Sequence, residues 1–168
     1  MKTARTILLA SVATLALGIA PAGASGPERV TFTIPEFLDF PAGEQCAFPI
    51  RLHFIDNEGT AKLFYNDEGD LVREIDTGHL SVVVSNEETG ASVFYNISGP
   101  QIITYLPDGG QRIQFGGPGL FSLFPGDVSG PGLLRTLGNA IFMRAPSGAI
   151  TSISPSGQVI DVCALLSA

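Results

Sequence analysis

The chain has 168 residues and a formal net charge of −7, from sixteen acidic and nine basic side chains. The basic residues are scattered singly, which excludes the grouped cations that nucleic-acid or anionic-membrane binding requires. With 45% hydrophobic residues the length suits one domain with a buried core, and the acidic balance reads as solubility.

Residues 1–24 read as a secretory signal peptide. Lys2 and Arg5 form a basic start, residues 6–20 are apolar and uncharged, Pro21 ends the run, and Ala22-Gly23-Ala24 offers small residues for cleavage. The run falls short of the ~20 apolar residues that span a membrane. Cleavage after Ala24 leaves residues 25–168 as a single all-β domain, and loss of the two leader cations moves the charge from −7 to −9. No cysteine follows the apolar run and no hydrophobic tail ends the chain, so lipid and GPI anchors are not expected. The expectation is an extracellular protein with no membrane insertion after cleavage.

Downstream, turn residues punctuate short alternating stretches. Residues 29–34 alternate as a half-buried strand. Residues 35–44 carry bulky Phe37, Leu38 and Phe40 between prolines and suggest one helical turn. A strand is expected over 46–55, closed by the acidic turn Asp56-Asn57-Glu58-Gly59, then another over 61–65 with its turn at Asn66-Asp67-Glu68-Gly69. Strands follow over 71–75, 79–85, 91–98, 101–106 and 111–115. The clearest is 79–85, with Leu80, Val82 and Val84 on one side. Residues 116–138 change texture: Gly117-Pro118-Gly119-Leu120 recurs as Gly130-Pro131-Gly132-Leu133, around Leu123-Phe124-Pro125-Gly126-Asp127. That composition reads as an ordered apolar loop, too hydrophobic for a flexible linker. Strands over 139–144, 149–153 and 158–165 complete an antiparallel meander of about ten.

Cys46 and Cys163 are the only cysteines, and in an exported chain two cysteines imply one disulfide. The bond brings the first and last strands of the meander together. An up-and-down β-barrel, which leaves no open sheet edge, is therefore favoured over a β-sandwich.

Four stretches carry a likeness to known proteins: Cys46-Ala47-Phe48-Pro49-Ile50, Asn96-Ile97-Ser98-Gly99-Pro100, Leu123-Phe124-Pro125-Gly126-Asp127 and Asp161-Val162-Cys163-Ala164-Leu165. Together they resemble small secreted proteins of unknown function from filamentous actinobacteria, which share the signal peptide and the two-cysteine layout. The resemblance implies export and carries no activity, ligand or site residue.

Candidate chemistry is sparse. Gly126-Asp127-Val128-Ser129-Gly130-Pro131 resembles the nucleophile stretch of trypsin-like proteases, but Val128 interrupts it and neither His53 nor His79 has the context of a catalytic base. Two histidines fall short of the four ligands of structural zinc. The acidic turns, Asp56 with Glu58 and Asp67 with Glu68 and Asp70, are too far apart to share a calcium ion, which needs six to eight oxygens. Catalytic residues, metals and cofactors are thus not expected. Asn96-Ile97-Ser98 is a glycosylation sequon, meaningful only in a eukaryotic host. The remaining candidate is the Phe-rich segment, whose Phe115, Leu120, Phe121, Leu123 and Phe124 either line a ligand cavity or plug the core. The favoured function is non-enzymatic binding of a small apolar molecule or a partner surface. The alternatives are a small extracellular hydrolase or isomerase using polar groups inside the barrel, and a structural protein of the cell exterior.

Overall fold

The computed structural model describes residues 26–167, so the segment 1–24 expected as a signal peptide lies outside the described residues. The described residues are all-β with a single short helix near their C-terminal end. Twelve strands follow one another: β1 (Glu28–Thr33), β2 (Phe37–Phe40), β3 (Ile50–Tyr65), β4 (Leu71–Asn86), β5 (Ser92–Asn96), β6 (Gln101–Tyr105), β7 (Gln111–Gly116), β8 (Gly119–Leu123), β9 (Gly132–Leu137), β10 (Asn139–Arg144), β11 (Ile150–Pro155) and β12 (Gln158–Asp161). Helix α1 (Val162–Leu166) ends the described chain. Nine strands form one antiparallel sheet, in the order β1-β3-β4-β6-β7-β10-β11, with β2 added on β3 and β5 on β4. The other three form a second sheet, β12-β9-β8. Among the described residues no ladder joins β1 to β11, so the strand pairing leaves the large sheet open.

Two sixteen-residue strands, β3 and β4, form the axis of the large sheet. The turn expected at residues 56–59 does not form. Phe54 pairs with Val82 and Asp56 with Ser81, which leaves Ile55 as the extra residue of a β-bulge. Before the bulge Ile50, Leu52 and Phe54 are buried; after it the inward positions shift by one to Gly59 and Ala61. The polar residues that suggested a turn are used within the strand. Asp56 accepts a hydrogen bond from the Ser81 hydroxyl at 2.5 Å, and the Asn57 amide donates to the Ile34 carbonyl at 2.9 Å. At Gly59 the Phe32 ring lies over the bare backbone, where an added Cβ would push it aside. The turn at residues 66–70 does form: Asn66 Oδ1 accepts from the Asp70 amide at 2.8 Å, and Gly69 takes φ +89°.

Three further expectations are corrected. Residues 37–40 are strand rather than a helical turn, because Phe37 to Phe40 pair with His53 to Ile50 along the β3 edge. The segment expected as an apolar loop contains strands β8 and β9, a hairpin whose apolar residues alternate into the interior. The last expected strand stops at Asp161. That side chain accepts from the Ala164 amide at 3.0 Å and caps α1, which buries Val162 and Leu166 four positions apart on one helix face.

The disulfide is present between Cys46 and Cys163, with Cα atoms 5.3 Å apart. It does not join two strands: Cys46 lies in the β2–β3 connection and Cys163 in α1.

The interior consists of two apolar clusters. The first gathers Ile50, Leu52, Phe54, Val82, Val84 and Tyr95 from the large sheet, and Ile97 just after β5, with Leu133 of β9 and Val162 of α1. The second gathers Ile113, Phe115, Ala140, Phe142 and Ile150 with Phe121 and Leu123 of β8. The three-stranded sheet therefore packs on the large one at both places.

Candidate functional site

A cavity of about 290 Å³ opens where the two clusters meet. Leu52, Phe54 and Ile97 reach it from the first cluster and Phe115 from the second. Phe32 and Ile34 close one side from the β1 edge, and Leu120 and Ser122 close another from β8. Most of this wall is ring and aliphatic carbon.

One acidic side chain interrupts it. Along β4 the inward alternation runs Val84, Val82, Leu80, Gly78, Asp76 and Glu74, so two carboxylates continue a row that begins as core. Gly78 is a close-approach position, since a Cβ there would strike the backbone of Glu58 and Gly59. Bare backbone at Gly78 helps to leave space beside Asp76. Across the sheet Asp76 stands between Ala61 on β3 and Gln101 on β6, and Gln101 in turn faces Phe115 on β7. Both Asp76 and Gln101 line the cavity.

The Oδ1 atom of Asp76 is shielded from solvent and has no hydrogen-bond partner. Glu74 is better provided for, accepting from the Tyr105 hydroxyl at 2.7 Å. Burial pushes the Asp76 carboxyl up from 3.8 to about 7, and the charge and hydrogen bonding of Glu74 on the same face add to the shift. Burial likewise raises the Tyr105 phenol, with Glu74 contributing through its hydrogen bond and charge.

These shifts carry a stability prediction. A carboxyl that holds its proton more tightly folded than unfolded favours the native state while protonated, so that stability is lost as pH rises. The window runs from about 4 to about 7. The full displacement corresponds to about 4 kcal/mol; solvent screening of this half-buried group reduces it to about 1–2 kcal/mol. Asp76→Asn should flatten the pH dependence in that window and stabilise the protein at pH 7, as measured by urea unfolding across a pH series. An unchanged slope in the variant would show that Asp76 is not the group responsible.

The structure separates the Phe-rich residues. Phe115 and Leu120 line the cavity, Phe121 and Leu123 lie in the second cluster, and Phe124 is exposed. Sequence reasoning missed Asp76, Phe32 and Ile34.

The other sequence candidates lie apart. The ring of His53 stacks on Phe37 at 4.5 Å, and His79 pairs across the strands with Glu58. With His53 opposite Val83, four strand positions set the two histidines about 13 Å apart along the strands. A smaller depression at the bulge touches Asp56, Glu58 and His79, but no metal-holding group of three or more ligands occurs among the described residues. Asp67, Glu68 and Asp70 belong to the β3–β4 turn. Asp127 spends both carboxylate oxygens on backbone amides, those of Phe124 and Ile150, each at 2.7 Å. It thereby ties the β8–β9 connection to β11. Asn96 is exposed at the end of β5, and its side chain accepts from the Ser98 amide at 3.0 Å.

An outward row is also visible. Phe37, His53, Val83 and Phe94 stand opposite one another across β2, β3, β4 and β5, with Phe37 47% and Phe94 57% exposed. Beside it Arg51 bridges Asp39 at 2.7 Å, and that hydrogen bond lowers the Asp39 pKa.

Compared with protein-family models, curated proteins and solved structures, the chain matches none.

Proposed function

We propose that this protein binds a small, mainly apolar molecule in the cavity between its two cores, and that it does so outside the cell. The cavity itself carries the reading. At about 290 Å³ it stands near the lower end of ligand-sized pockets, roughly 300–1,000 Å³, and it combines apolar walls with a few polar groups such as Asp76, Gln101 and Ser122. Apolar walls release water on contact with a ligand and supply affinity, while the polar groups orient it. A close-packed interior leaves few voids larger than a water molecule, so a space of this size is not ordinary packing slack.

Barrel-like closure belongs to the same proposal. Strands β8, β9 and β12, lying across the open face of the nine-stranded sheet, would complete a shell round the ligand. Export draws support from the signal-like leader and from the disulfide, a bond at home in oxidising compartments. No helix among the described residues is long and apolar enough to cross a membrane. Likeness to small secreted two-cysteine proteins fits this picture and adds no ligand. A second reading, a docking face for a protein partner, is favoured by the exposed row from Phe37 to Phe94.

The test is to titrate the folded protein with a neutral aromatic alcohol, 2-phenylethanol, by calorimetry. Wild type should bind. Leu120→Trp, which fills the cavity from a half-buried wall position, should weaken binding at least tenfold while the far-ultraviolet dichroism is kept. Equal binding by both proteins would place the ligand elsewhere and sink the cavity reading.

A further inference from the structure

We infer that the cavity is built for a hydrophobic amine, whose ammonium group pairs with the Asp76 carboxylate; the inference rests on the apolar-ligand reading and names its ligand class. Three observations carry it. First, among the described residues Asp76 is the only charged side chain lining the cavity, and no arginine, lysine or histidine reaches the wall. A carboxylate ligand would meet like charge there and find no cation.

Second, the Oδ1 atom of Asp76 is shielded from solvent and lacks a hydrogen-bond partner. The cross-strand neighbours of Asp76 are Ala61 and Gln101, neither of which carries a charge. Glu74, the next inward residue, accepts from Tyr105, and both its charge and its hydrogen bonding with Asp76 favour the protonated Asp76 carboxyl, so it supplies no cation. Three cations of the surrounding strands are engaged elsewhere. Arg73 lies over the Phe64 ring, Arg135 over the Tyr95 ring at 4.2 Å, and Arg144 donates to Gln111 at 3.0 Å.

Third, the setting magnifies the preference. A buried anion is poorly stabilised by an apolar wall, and the attraction of an opposite charge strengthens as water is excluded. An ammonium entering the cavity gives the carboxylate both the charge and the donors it lacks. An alcohol supplies a single neutral hydrogen bond. Phe32, Phe54 and Phe115 offer apolar and ring surface for the rest of the molecule, and aromatic faces also attract cations.

The experiment compares three probes of one shape, 2-phenylethylamine, 2-phenylethanol and phenylacetate, by calorimetry on the purified protein at about pH 8, where an alkylammonium is still charged. The expected order is amine, then alcohol, then carboxylate, with the amine at least tenfold tighter than the alcohol. In Asp76→Asn that margin should shrink to within about threefold, while alcohol binding persists and reports an intact cavity. Three probes binding alike, or the carboxylate binding best, would overturn the amine assignment and leave the apolar-cavity reading standing. An amine preference that survives in Asp76→Asn would overturn the role of Asp76. Failure of all three probes to bind wild type would overturn both readings.

Discussion

Phe121→Ala is expected to lower the unfolding free energy by about 3–5 kcal/mol, and Phe124→Ala by less than about 1 kcal/mol. The two residues lie three positions apart in one apolar stretch, yet the structure gives them different surroundings. Phe121 is 8% exposed, and its ring stacks on Phe142 with centroids 3.9 Å apart and planes 15° from parallel. Phe115 meets both rings edge-on, at 5.8 Å and 5.6 Å. Truncation at Phe121 removes one member of this mutually packed trio and opens a void beside Phe142, which has no exposed surface and cannot relax outward. The lost ring contacts add to the transfer and cavity costs. Phe124 is 42% exposed, and the one ring packed near it is Phe40, tilted at 6.1 Å. Guanidinium unfolding of both variants checks the contrast. A small loss at Phe121 would mean that β8 does not pack on the large sheet as described.

How far the residues announce this arrangement depends on where local pattern and tertiary packing agree. The row Leu80, Val82 and Val84 reads directly as a buried strand face, and it is one. The same row continues two and four positions upstream, through Gly78 to Asp76, but Thr77-Gly78 looks like a strand end. Gly78 instead marks a place where two backbones come too close for a side chain, which is a property of the pairing and not of the segment. That misreading hid the one acidic residue of the cavity. The tetrad at residues 56–59 misleads in the same way, since Asp56 and Asn57 satisfy partners on β4 and beyond β1 rather than closing a turn. In the Phe-rich stretch, glycine and proline suggest a loop, yet Gly119 allows Phe115 and Thr136 to approach and so permits the β8–β9 hairpin. Composition there identifies apolar character but not which residue faces which side. Phe115 and Leu120 reach the cavity because they come from different sheets that meet at that point.

Removing the disulfide with the paired change Cys46→Ala and Cys163→Ala should cost about 2–5 kcal/mol of stability, the range for native disulfides in small domains. The sequence separation of the bond is 117, and in the chain-entropy picture a loop of that length restricts the unfolded chain by about 4–5 kcal/mol. The paired variant leaves no free thiol to misreport the effect. The fold itself should persist, because α1 has other attachments. Val162 and Leu166 are buried in the first cluster, and the Asn86 side chain donates to the Leu166 carbonyl at 3.1 Å. Since the bond acts mainly on the unfolded chain, the variant should also expose more surface on unfolding and show a steeper denaturant dependence. Urea unfolding of wild type, with and without reductant, alongside the variant makes the comparison. Reduced wild type should coincide with the variant in midpoint and slope. A loss below about 1 kcal/mol with an unchanged slope would show that the unfolded chain is held compact by something other than this bond.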